Sequence, residues 1–397
     1  MRHSWEVTVG KNSRFGVALP ARAGVVVVGG GVMGTSIAFH LAEAGCDVLL
    51  VERDVLASGS TSRAAGGVRA QFSDELNIAI ALRSLEAFDR FHVRPGWEID
   101  LQRVGYLFLL DRGEDVCVFE RSVALQNELG VPSRLVDPVE AKRLSPLAGL
   151  EGVIAATFCP IDGHASPESV VQGYAAGARV HGAVIETGCE LIGIEVEGGE
   201  IRAVQTSRGR VETSTVVCAA GVWSPAVGAL VGLHLPVIPY LREVGFTRPL
   251  PGVGRPPLTV DFTTSFYFHG EGEGLLFGMA DPAQPPGLDA PRDPEWLEKV
   301  FGVAERRAPA LCDVGIAGGW SGFYEATPDH NALIGEWDGC SRFIYATGFS
   351  GHGFLQGPAV GEIVRDLVLE RTPFVDVASL AVERFSTGRL RPEHNII

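Results

Sequence analysis

The hydrophobic pattern becomes regular at residue 25. Four consecutive valines, Val25–Val28, read as a buried parallel strand. Apolar positions at Val32, Met33, Ile37, Leu41 and Ala42 then recur with a helical period, and Gly45 stands where a C-cap belongs. A second strand, Val48–Val51, ends at Glu52. Further on, Leu76, Ile80, Leu85 and Phe88 mark a helix over 74–91, and 114–129 reads as a helix stopped by Gly130. Ser166 followed by Pro167 is a strong helix start, predicting a helix to about His181. Strands are expected at 104–110, in short pieces over 184–211, and at 216–221. The stretch 237–278 alternates strands and turns, with a hairpin of 266–269 and 275–279 around Gly270–Gly274. A Pro- and acid-rich exposed loop over 282–294 precedes a helix over 296–308. Phe343–Gly348 reads as a last buried strand, Gly351–Gly357 as a second glycine-rich loop, and 358–370 as a closing helix with Pro358 near its first position.

The first turn carries candidate chemistry. Gly29, Gly31 and Gly34 fit the G-x-G-x-x-G spacing between a strand and a helix. Gly29 permits the tight turn, Gly31 lets backbone approach a pyrophosphate, and Gly34 lets helix pack on strand. Unpaired N–H groups at the helix start favour an anion. Glu52 suits the two hydroxyls of an adenosine ribose. Two glycine-rich strand–loop–helix units at opposite ends of the chain imply one nucleotide domain built from distant segments. A β-rich layer lies between them in sequence. The expected fold is α/β in two domains. Segments 23–80, 151–235 and 326–397 form a Rossmann-type nucleotide-binding domain. Segments 81–150 and 236–325 form a β-sheet-rich substrate domain, and 1–22 is an N-terminal extension.

Composition narrows the function. The 397 residues are 46% hydrophobic and 20% charged, as in soluble globular proteins. A formal net charge of −15 argues against nucleic acid and anionic membrane as partners. The N-terminus lacks the apolar stretch of a signal peptide, and no membrane span is expected. The seven cysteines (Cys46, Cys117, Cys159, Cys189, Cys218, Cys312 and Cys340) form no C-x-x-C, so they read as reduced, mostly core residues of a cytoplasmic protein. No spacing suggests a metal.

Four segments in order resemble the glycine oxidase, sarcosine oxidase and D-amino-acid oxidase family of FAD-dependent amine oxidoreductases. They are GGGVMG with Glu52, GSTSRAAGGVR, VVCAAGVWS and YATGFSGHGF. The sarcosine oxidase β-subunit-like branch is most similar. The resemblance implies bound FAD. Gly29, Gly31, Val32, Met33 and Gly34 would form its pyrophosphate turn, with Glu52 and Arg53 at the adenosine ribose. Ser60, Thr61, Ser62 and Gly66 would contact pyrophosphate or flavin. Leu191 would hold the adenine by its backbone, and Ala220, Gly221 and Trp223 would line the cofactor. Gly351, His352 and Gly353, with Phe354 beside them, would place backbone N–H groups at flavin N1 and O2, where reduction puts negative charge. Arg69 matches the arginine that holds the substrate carboxylate, a task suited to a planar two-pronged cation. Tyr267, Trp320, Tyr324 and His352 are pocket candidates, with Tyr267 and His352 placed to assist catalysis.

Departures from the family pattern are equally specific. Gly322 stands at the flavin-tethering cysteine of monomeric sarcosine oxidases, and Arg63 at the tethering histidine of the dimethylglycine dehydrogenase branch, so FAD is expected to be non-covalent. Pro167 stands at the FMN-tethering histidine of heteromeric sarcosine oxidases, with His164 near but out of register. Leu276 and Leu355 replace lysines that promote oxygen reaction and bind carboxylate. The implied reaction is oxidation of the C–N bond of a small secondary, N-methyl or D-amino acid to an imine, with hydride transfer to flavin N5. O2 or an electron-accepting partner would take the electrons, in a homo- or hetero-oligomer. Three alternatives stay open: a dehydrogenase feeding a partner subunit or quinone, a non-catalytic FAD-binding scaffold, and a nicotinamide-dependent enzyme.

Overall fold

The computed structural model describes residues 18–252 and 254–395. Most of the expected N-terminal extension lies outside them. Arg22 already pairs with Glu212, so the folded body begins just before Ala23.

Val25–Val28 is the centre of a six-stranded sheet. Its neighbours are Val48–Val51 on one side and Val216–Cys218 on the other, both parallel to it. Val184–Glu186 extends one edge, and Phe343–Thr347 with the antiparallel Leu333–Glu336 extends the other. Strands from both ends of the chain therefore share one sheet, as the two glycine-rich units imply.

Alternation along the first strand sets the layers, because successive side chains point to opposite faces. Val25 and Val27 join Ile37, Val360 and Ile363 under the helices Val32–Glu43, Glu75–Asp89, Pro167–Val180 and Gly353–Val368. Val26 and Val28 instead join Ile201, Val204 and Val211 of a three-stranded antiparallel sheet on the other face. With both faces covered, an uninterrupted valine run is the stable solution.

A second, eight-stranded sheet stands over the carboxyl ends of the first. Its order is Ile316–Ala326, Ile238–Thr247, Gly274–Gly278, Tyr267–Glu271, Leu258–Asp261, Tyr106–Leu110, Ala155–Cys159 and Arg134–Val136. Here too the faces separate. Leu107 and Leu109 pack with the Trp296–Arg307 helix, while Tyr106 and Phe108 turn the other way with Leu258 and Val260.

Several expectations need correction. The closing helix starts at Gly353, and Pro358 lies inside it. Phe354–Gly357 are buried and Gly357 packs against Val32, where a Cβ would fall 2.8 Å from Cγ2; this packing outweighs the backbone hydrogen bond that a proline removes. The expected segment boundaries also shift. Residue 80 falls inside the Glu75–Asp89 helix, and Ala155–Cys159 belongs to the eight-stranded sheet. The cysteines are all free, but Cys117 and Cys312 are exposed rather than in the core.

Candidate active site

A cavity of about 830 Å³ runs between the two sheets. That is within the size of cofactor and ligand sites. One end is built by the first strand–helix turn. Gly29 has φ +112°, and a Cβ there would lie 2.4 Å from the Ala219 carbonyl oxygen. Gly31 occupies the N-cap without a capping side chain. The Val32 N–H donates to Thr61 Oγ1 at 3.1 Å, which ties the 58–66 loop to the helix start. Glu52 sits at the end of the second strand. Its carboxylate accepts from the Gly30 N–H at 2.6 Å and the Asp54 N–H at 2.8 Å. The Arg53 guanidinium lies 4.0 Å over the Trp223 indole. Met33, Ser60, Gly66, Leu191, Ala220 and Gly221 line the same end or the floor.

The other end is aromatic and cationic. Arg69 is 2% exposed. It donates to the carbonyls of Gln71 and, at 2.5 Å, Asn395, and its Nη2 lies 3.1 Å from His352 Nε2. Its guanidinium stacks 4.2 Å from the Phe72 ring. No carboxylate among the described residues pairs with it. Burial and the adjacent Arg69 charge hold the His352 pKa well below the usual imidazole range. His352 is therefore neutral, and its Nε2 is the acceptor for Arg69. The buried Asp162, pushed up to about 6 by burial, accepts from the Ala70 N–H at 2.9 Å and Gln71 Nε2 at 3.1 Å, fixing the segment after the Gly67–Val68 strand that carries Arg69. Tyr106, Tyr267, Tyr324, Leu258 and Arg242 complete this end. Gly353, Phe354 and Leu355 form the first turn of the closing helix and also line the cavity. A helix leaves those N–H groups unpaired.

The chain matches the model of the DAO family of FAD dependent oxidoreductases over residues 24–367. It belongs to that family. Over 386 residues it is 28% identical to mitochondrial dimethylglycine dehydrogenase of Mus musculus, covering 92% of this chain and 44% of that one. It is 30% identical to 4-methylaminobutanoate oxidase (formaldehyde-forming) of Paenarthrobacter nicotinovorans, covering 93% and 46%. The chain thus spans less than half the length of these two relatives. Among solved structures, L-proline dehydrogenase from P. horikoshii matches with a TM-score of 0.89 and 34% identity, covering 94% of this chain and 100% of that one.

The family binds FAD, and the residues present fit it. The glycine N-cap with no side chain of its own, the close approach at Gly29 and the carboxylate of Glu52 suit a dinucleotide, and the cavity continues without a break to the aromatic end. Gly34 and Ser62 do not line it. A Cβ on Gly34 would fall 1.8 Å from the Gly29 carbonyl oxygen, so this glycine acts by helix–strand packing, and the Ser62 N–H donates to Ala57. The His352 N–H is also engaged, with Phe349 O at 2.8 Å, which leaves Gly351 and Gly353 to Leu355 as the donors. Trp320 lies outside the cavity, its indole N–H on the Arg63 carbonyl at 3.0 Å. Leu276 is buried in its strand, away from the lining, whereas Leu355 is part of the lining.

The sequence reading missed Tyr106, Arg242 and Glu325. Arg242 was detectable as a lone cation inside the apolar strand IPYLREVGFT. Glu325 lines the cavity and accepts from Thr347 Oγ1 at 3.0 Å, while burial pushes its carboxyl up to about 7. A carboxyl raised above its unfolded value of 4.5 binds more protons in the folded state. Its stabilising contribution is present at low pH and is lost as pH rises from 4.5 through 7. In the FAD-free protein, Glu325→Gln should therefore gain stability relative to wild type between pH 5 and pH 8. The gain is on the order of 1–2 kcal/mol, allowing for solvent in the cavity. Urea titrations at both pH values measure it, and a pH-independent difference would place the Glu325 ionisation outside that range.

Proposed function

We propose that the protein oxidises the C–N bond of a small carboxylated amine, either a secondary, N-methyl or D-amino acid. The supporting observation is Arg69: a buried guanidinium on the cavity wall, surrounded by neutral acceptors. A buried cation is costly unless it is paired, and a substrate carboxylate supplies the pair. Dimethylglycine, 4-methylaminobutanoate and L-proline, named in the relatives, are all amines bearing a carboxylate.

The FAD these residues would hold would supply the hydride acceptor; the hydride leaves a carbon bonded to the substrate nitrogen, and water hydrolyses the imine that remains. The chain supplies placement and charge. Arg69 holds the carboxylate, and neutral His352 holds Arg69. The two act as substrate anchor and positioning residue, and neither is a base. Burial keeps the Tyr106, Tyr267 and Tyr324 phenols protonated, so they orient the amine as hydrogen-bond partners. Leu241, Val244 and Leu258 exclude water, and the first turn of the Gly353–Val368 helix faces negative charge on the cofactor. The amine has to enter neutral, because an ammonium has no lone pair to stabilise the developing iminium.

No lysine lines the cavity among the described residues, which favours an electron-accepting partner over O2. Slow reoxidation in air would agree with that. Seven free cysteines support a cytoplasmic location, and no helix among the described residues is long and apolar enough to cross a membrane. Anaerobic addition of N-methyl amino acids, D-amino acids and L-proline to the FAD-bound protein should bleach the visible flavin band. A yellow protein that none of them bleaches would favour the scaffold reading.

A further inference from the structure

Arg242 lies mid-strand in Ile238–Thr247, opposite Gly322 of the antiparallel neighbour. Its guanidinium carbon is 5.4 Å from the Tyr240 ring and 5.3 Å from the Tyr324 ring. One Nη donates to the Leu241 carbonyl at 3.1 Å, and Nε is buried without an acceptor among the described residues. The acids nearby are taken. Glu243 accepts from Arg292 Nε at 2.8 Å, and Asp281 is held by Lys299 at 2.7 Å. Arg242 is thus a second cavity-lining guanidinium with no carboxylate partner among the described residues.

The two arginines flank one group of phenols. Arg69 acts through space on Tyr106 and Tyr324, while Arg242 acts on Tyr324 and Tyr267. Tyr324 lies between them, its ring packed where a Cβ on Gly351 would fall 2.5 Å away. A single α-carboxylate needs one two-pronged cation. A second guanidinium, stacked between aromatic faces with its edge open to the cavity, suits a second planar anion. The positive end is also notable in a chain of net charge −15, because it concentrates an anionic ligand at one place.

We propose that the substrate is an amino dicarboxylate, with its second carboxylate received by Arg242. This rests on reading the cavity as an amine site with Arg69 as the first anchor. Arg242 sets specificity, and chemistry at the α-carbon does not require it.

Non-oxidisable acids test the idea without turnover. Titration of the FAD-bound protein with malonate, succinate, glutarate and adipate, each against its monocarboxylate analogue, is followed by the shift in the visible flavin spectrum. At least one diacid should bind ten- to a hundredfold more tightly than its analogue. In Arg242→Gln the preference should vanish while monoacid affinity holds. Arg242→Lys should keep part of it, and Arg69→Gln should weaken both classes. A wild-type protein with no diacid preference, or a preference that survives in Arg242→Gln, overturns the proposal. Diacid preference together with an unbleached flavin on adding amino dicarboxylates would overturn amine oxidation instead and leave the second anion site standing.

Discussion

Gly34→Ala is expected to give a colourless protein. The added methyl carbon would fall 1.8 Å from the Gly29 carbonyl oxygen, a backbone atom at the centre of the turn. No rotamer change relieves a contact between a Cβ and a main-chain oxygen. The helix Val32–Glu43 must move off its strand, taking with it the N–H groups that receive the phosphates. Overpacking of this kind costs about 1–3 kcal/mol or more. Because the displaced atoms are the ligand-binding ones, FAD affinity should fall at least a hundredfold. Flavin absorbance per mole of purified protein and the thermal midpoint with added FAD measure the effect. Gly302→Ala is the control. Gly302 lies within the Trp296–Arg307 helix with open space around its Cβ position, and alanine there should gain about 0.5–1 kcal/mol. A fully yellow Gly34→Ala protein would mean that this turn is not the phosphate site.

Arg69→Ala should raise KM for carboxylated amines by two to three orders of magnitude, with a smaller fall in kcat. Truncation removes a charge-assisted, two-pronged contact from a buried site, worth about 3–4 kcal/mol in such settings. The loss is in substrate binding more than in chemistry, hence the split between KM and kcat. A second readout separates this role from a structural one. Arg69 is one cause of the depressed His352 pKa, so its removal should move an imidazole titration upward, towards the accessible pH range. Arg69→Lys should recover only part of the affinity, because an ammonium cannot present two parallel donors. Unchanged KM with lowered thermal stability would make Arg69 a structural cation held by Gln71 and Asn395.

The parts of this molecule legible in its sequence are those set by local rules. The valine run, the spaced glycines, Ser166 as a cap, and the hairpin at Gly270–Gly274 each carry their own signal and fall where expected. The start of the last helix did not, because proline preference for a first turn was overridden by burial of Phe354–Gly357, with Gly357 packed against Val32. The substrate end was less legible for another reason. Tyr106, Arg242 and Glu325 lie on three strands whose placement depends on the order of the eight-stranded sheet, and no short-range pattern encodes that order. Trp320 had the right chemistry and strand for a pocket residue, yet its indole is fastened outward to Arg63.

The central strand has a consequence for how the protein is made. Val25–Val28 leaves the ribosome ~190 residues ahead of its partner on one side, Val216–Cys218. At ordinary elongation rates that is on the order of ten to forty seconds with one edge of an all-valine strand unpaired. Phe343–Thr347 and the helix that completes the flavin end come later still. A nascent chain therefore exposes an adhesive edge long before it can hold its cofactor, so capture of that edge by chaperones during synthesis, and not flavin supply, should govern how much of the protein stays in solution.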